Sequence, residues 1–202
     1  MHSITRLAAR GLALAATAAL LSGCLTMKAY VDPALPVVGK ADLVAPATPR
    51  PVQVAFEFKT NGSVNASATS QIKPRIIAVA SESGLFSAVT SSASDSADAG
   101  LLTVVIDNVP ITDNAAAKGF GTDLTLGAVG SMVTDGYVAT ARYQRNGVTT
   151  EVTAKHALHT TIGNKAGPEG LAPVTMQQGV ETVMDQLMWN LIKQLAEQKA
   201  LE

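Results

Sequence analysis

Two histidines stand three apart in the stretch VTAKHALHT, His156 and His159. Imidazole is the side chain best suited to relay protons or ligate metals near neutral pH. In a strand their odd separation sends the rings to opposite faces, so they cannot chelate one ion together. The chain's single cysteine, Cys24, lies far away in sequence, and no close acidic pair flanks either ring. A metal site is therefore not expected. His156 falls on an apolar face and reads as a hydrogen-bonded core residue, whereas His159 reads as exposed. The serines between Ser81 and Ser96 include none in a G-x-S-x-G setting, and no acid–base partner can be named for them. Asp95 and Asp98 lack the remaining ligands of a calcium loop, which leaves a solvated loop. Gly119 and Gly121 fit the first two positions of a dinucleotide loop, but Leu124 occupies the third and no ribose-binding acid can be placed after it. Tyr137 and Tyr143 share a strand face without a basic stripe, so no nucleic-acid platform forms. No catalytic residue, cofactor or metal is expected, and the chain does not read as an enzyme.

The remaining reactive group is the Cys24 thiol, and the residues before it decide its use. Arg6 and Arg10 form a positive start, Gly11 to Leu20 a short apolar run, and Leu21-Ser22-Gly23 a small-residue approach. That order is a secretory signal over residues 1–23. The run is too short to span a bilayer, which takes roughly 20 apolar residues. Leu21-Ser22-Gly23-Cys24 resembles the lipobox of bacterial lipoproteins. The resemblance implies a diacylglyceryl thioether on Cys24, cleavage before it, and acylation of the new amino terminus by a palmitate-type chain. One chain holds a protein to a membrane only marginally, at about 0.8 kcal/mol per buried methylene, while two or three hold it effectively permanently. Leu25 and Thr26 come directly after the cysteine, without the Asp that in this family favours the inner membrane. The resemblance thus implies an outer-membrane lipoprotein on the periplasmic face. Loss of residues 1–23 moves the formal charge from −1 to −3, too weak a balance to attract polyanions.

Around these groups the chain divides into a tether and a domain. Residues 24–51 carry Pro33, Pro36, Pro46, Pro49 and Pro51 and read as a lipidated cysteine on a proline-rich tether. Such a tether either reaches up to about 80 Å from the lipid or wraps on its neighbours. Residues 52–202 form the domain. Val52, Val54, Phe56 and Phe58 alternate as a half-buried strand ended by Asn61-Gly62. Ala68, Ile72, Ile76, Val79 and Ala80 mark a helix between an Asn65 cap and a Gly84 stop. Pro74 means that this helix either starts close before it or kinks there. GLFSAVTSS is a short strand, and Leu101 to Val109 is apolar on both faces, as in a central strand covered on two sides. Gly136–Gln144 and Val148–Ile162 are joined by Asn146-Gly147, a hairpin signal. Met176 to Leu195 keeps a helical apolar spacing behind a Thr175/Gln178 capping box. The expected fold class is α+β: a mainly antiparallel sheet, helices on one face, a long C-terminal amphipathic helix and a glycine-rich apolar insert.

The strand VQVAFEF, the helix through IKPRIIAVASESG and the adjoining SGLFSAV resemble a periplasmic domain. It is the one shared by the amino-terminal part of TolB and the CsgG and PelC lipoprotein families. The resemblance covers residues 52–109 and implies an assembly or export-accessory role, with a ring or small oligomer. The insert at 118–134 has no place in the minimal form of that fold. Its Gly119, Gly121, Gly127 and Gly130 permit close approach of another backbone. It packs on the domain's own sheet, contacts another copy or touches lipid. Full spanning is not expected, because its 15 core residues reach only about 22 Å as a helix. Trp189, at the margin of the terminal helix, reads as core packing or as an interface residue. The expected function is a non-enzymatic outer-membrane lipoprotein acting as an interaction module. Its partners are the membrane, through its anchor, and envelope proteins or further copies of itself. The alternative is a periplasmic carrier of lipid or a small apolar ligand.

Overall fold

In the computed structural model, residues 27–93, 96, 98–111 and 132–202 are described. Strand β1 (Met27–Val31) is followed by a 3-10 turn at Lys40–Asp42, and then by β2 (Arg50–Thr60) and β3 (Ser63–Val64). Helix α1 (Ala66–Glu82) leads to β4 (Phe86–Thr90), β5 (Gly100–Pro110), β6 (Met132–Arg145), β7 (Val148–Ile162) and α2 (Met176–Glu197). The seven strands form one sheet ordered β1-β7-β6-β5-β2-β3, with β4 also against β2. The pairings β2·β4 and β2·β5 are parallel, and the other described pairings are antiparallel. The architecture is α+β.

Local chemistry explains the boundaries. The Asn65 side chain accepts from the Ala68 amide at 3.0 Å and opens α1. Thr175 and Gln178 satisfy each other's amides in the capping box that opens α2. Asn146 and Gly147 both take positive φ, 51° and 76°, as the two-residue β6–β7 turn requires. Pro74 lies inside α1, so the helix begins well before it. The prolyl ring faces solvent, where water can serve the Ser70 carbonyl that receives no bond from it.

Alternation along the strands builds the core. Val54 and Phe56 of β2, Leu102, Val104 and Ile106 of β5, and Ala139 and Ala141 of β6 form a buried floor. Ile76 and Val79 of α1 pack on it, as do Val183, Leu187, Leu191 and Leu195 of α2. Each large aliphatic side chain among them contributes about 1.5–3 kcal/mol of burial. β5 is central, between β2 and β6, as expected. Helical cover lies on one of its faces only: Leu101, Thr103 and Val105 on the other are half-buried by neighbouring strands.

The proline-rich segment departs from the expected tether. Met27–Val31 pairs antiparallel with β7, from Met27↔Ile162 to Val31↔Leu158. The chain then crosses α2, where Asn190 Nδ2 donates to the Pro36 carbonyl at 2.8 Å. Val38 is buried, and Leu35 and Leu43 pack on the core. Among the described residues the folded body thus takes in Met27–Val31 and the crossing over α2, which is the wrapped form of the proline-rich segment. The proline spacing masked a five-residue strand that ends just before Pro33. The end of the expected insert also differs, since Met132, Val133 and Thr134 belong to β6.

Candidate functional site

The polar side chains of the described residues converge where β1, β7 and β6 lie side by side. His159 is fully buried there, on the sheet face opposite the helices, and not exposed as its sequence position suggested. Its Nε2–H donates to Asp32 Oδ2 at 3.0 Å, and Thr134 Oγ1 lies 2.9 Å from its Nδ1. Asp32 Oδ1 in turn accepts the Ala34 amide at 2.8 Å. The backbone closes the same contact, as the Asp32 amide donates to the Ala157 carbonyl at 3.1 Å. Tyr30, opposite His159 in the β1·β7 register, covers the network. Its ring rests on Gly167, where any Cβ would collide with the Tyr30 ring, so glycine is required.

A hydroxyl, an imidazole and a carboxylate in a row invite comparison with a hydrolytic triad. Two features argue for a latch. In a triad the carboxylate holds Nδ1 and the hydroxyl meets Nε2, the reverse of this order. Asp32 and His159 are also 1% and 0% exposed, so no substrate carbonyl reaches them. What the network does is tie β1 to β7 and β6. Its members were hidden in sequence because Asp32 lies 127 residues from His159. The available signal was the alternation in MKAYVD ahead of Pro33.

His156 lies on the helical face, buried as expected. Its Nδ1 accepts the Ala157 amide at 2.9 Å, so Nε2–H donates to Gln186 Oε1 at 2.5 Å. Burial lowers its pKa, only partly opposed by the bond to Gln186 and the field of Asp32. On β6, burial raises the Asp135 carboxyl and pushes the Tyr137 phenol up to about 12, with Asn108 bonding to both in opposition. The two groups mark the same end of the sheet and face the helices.

Beyond these groups lies an apolar edge. Met27 and Ile162 are direct cross-strand partners, 52% and 43% exposed, and Val133, diagonal to Ile162 on the same face, is 54% exposed. Both ends of the segment 112–131 emerge here, at Ile111, whose amide bonds the Thr134 carbonyl, and at Met132. Cys24, Asp95, Gly119, Gly121, Gly127 and Gly130 lie outside the described residues. Trp189 of α2 is partly buried against the core. Among the described residues no cluster of three or more His, Cys, Asp or Glu side chains could hold a metal, and no helix is long and apolar enough to cross a membrane. Cavities of about 260 and 220 Å³ lie at the opposite end, beside Arg145 and Lys199 and beneath Val44 to Pro46. The space between the sheet and α2 is filled by Met184, Leu187, Met188 and Leu191.

No protein-family model matches the chain, and no curated protein matches it in sequence. Solved structures do. Rare lipoprotein B from Shewanella oneidensis is 9% identical with a TM-score of 0.41, over 75% of this chain and 97% of that one. A Xanthomonas campestris protein of a domain family of unknown function is 10% identical with a TM-score of 0.40, over 79% and 95%. A PelC dodecamer from Paraburkholderia phytofirmans is 12% identical with a TM-score of 0.31, over 85% and 96%. At these scores the likeness is one of outline, and nothing those proteins do passes to this chain.

Proposed function

We propose that the protein is a non-enzymatic outer-membrane lipoprotein, held through Cys24 on the periplasmic face, whose domain is an interaction module of the envelope. The observation that carries this is a spacing. Only Leu25 and Thr26 separate Cys24 from Met27, the first residue of β1. Three Cα–Cα steps reach at most about 11 Å. An anchor at Cys24 therefore acts on the sheet itself and not through a loose leash. The latch at Asp32 and His159 supports the same reading, because it secures the strand that takes the load. The signal over residues 1–23 is removed on this reading. Envelope proteins, or further copies meeting at Gly119, Gly121, Gly127, Gly130 and Trp189, are the partners, and an accessory role in export suits such a module. The filled space under α2 does not favour a lipid carrier.

Labelling with radioactive palmitate, followed by separation of inner and outer membranes, tests the anchor. Label is expected in the wild-type chain in the outer-membrane fraction and absent from Cys24→Ser. Label that survives Cys24→Ser, or a free thiol on the mature chain, overturns the assignment. A crosslinked pull-down of the lipidated protein in mild detergent then identifies the partner or further copies.

A further inference from the structure

We propose that the edge formed by Met27, Val133 and Ile162 lies against the lipid surface, so that the domain stands end-on with its strands leading away from the membrane. The proposal rests on the anchor at Cys24 and adds an orientation that an anchor alone does not impose.

The first argument is reach. Met27 lies within about 11 Å of the lipidated residue, so the bilayer surface is close to this edge whatever the tilt of the domain. The second is chemistry. Met27 and Ile162 pair in register, Val133 lies diagonal to Ile162 on its other side, and each of the three is about half exposed. Among the described residues the other exposed aliphatics, Val37, Val44, Val64 and Val148, stand apart from this group. A contiguous apolar patch at the point of attachment is what a membrane contact needs. The third is charge. Along β1 and the continuation of β7 the first charged side chains are Lys28, next to Met27 on the other sheet face, and Lys165, three residues after Ile162. Both are cations suited to lipid phosphates. Asp135, the first acid along β6, points to the half-buried interior beside Asn108. The contact has a far reference point: the Asn146-Gly147 turn lies at the other end of β7, about 45 Å away at strand rise.

The test uses the full lipidated chain in phosphatidylethanolamine/phosphatidylglycerol (3:1) vesicles. With Cys24 blocked by its lipid, one added thiol takes an environment-sensitive fluorophore, at Ile162→Cys, Val133→Cys or Asn146→Cys. Lipid-borne nitroxide is expected to quench the fluorophore at 162 and at 133 several-fold more than at 146. Equal quenching at all three positions overturns the orientation. Shielded emission at 162 or 133 without lipid quenching also overturns it, and assigns the edge to a second copy. Protein that fails to float with the vesicles reports failure of the anchor instead, so the two readings fail separately.

Discussion

β7 buries a histidine on each face and does so by different means. Around His156 the surroundings are mainly apolar: Tyr137 across the β6·β7 pair, Leu158 beside it and the α2 residues above, with Gln186 as its side-chain hydrogen-bond partner among the described residues. Around His159 the surroundings are polar and drawn from three strands, with Asp32 and Thr134 on its two nitrogens. The first region is held by area removed from water, which is non-directional and tolerant of small shifts. The second is held by hydrogen bonds that one register satisfies, and a slip of β1 by a single residue would leave Asp32 and His159 buried without each other. Each force is thus used where its character suits. Packing stabilises the body, and a directional network fixes β1 at the margin of the sheet.

Damage to the first region should have the larger effect. Leu187→Ala, a fully buried truncation, is expected to cost about 3 kcal/mol in denaturant unfolding. Exchange protection should then fall evenly across the sheet. Asp32→Ala is expected to cost about 2 kcal/mol, because the His159 donor loses its buried acceptor. Its signature is local: the β1 amides exchange first, while β5 stays protected. A uniform loss of protection in Asp32→Ala, as large as in Leu187→Ala, would erase the distinction between the two regions. The smallest effect is read by pH and isolates the helical side of β7. The folded-state pKa of His156 is lowered, so below about 6.5 the unfolded chain takes up a proton that the folded chain refuses. Its share of stability is present at higher pH and falls as pH drops towards the folded value, at no more than about 1.4 kcal/mol per unit. Urea midpoints at pH 7.5 and 5.5 should separate less in His156→Gln, and an unchanged separation would show that burial of this ring is not the cause.

Much of the body was legible because local signals agreed with their surroundings. Asn65, Gly84, Thr175 and Asn146-Gly147 mark helix and turn boundaries by chemistry confined to a few residues, and the structure uses each of them. The strand VQVAFEF reads correctly because its alternation matches one buried face. The latch was not legible, for a physical reason. Thr134 and His159 meet across the β6–β7 hairpin, but Asp32 joins them only when the remote β1 aligns, and nothing local to His159 announces a carboxylate 127 residues earlier. The proline-rich segment misled for a related reason: Pro33 and Pro36 belong to the crossing over α2 and carry no information about β1 itself.

β1 is short beside the strand it joins. It spans only Leu158–Ile162 of a fifteen-residue neighbour, so most of the outer margin of β7 has no strand beside it among the described residues. An unpaired margin is a template for a foreign chain. Alternating Glu151 and Lys155 discourage such recruitment, and Gln194 from α2 occupies the Thr153 carbonyl at 3.2 Å. Those guards let copies of the protein come close without their sheets zipping into one another.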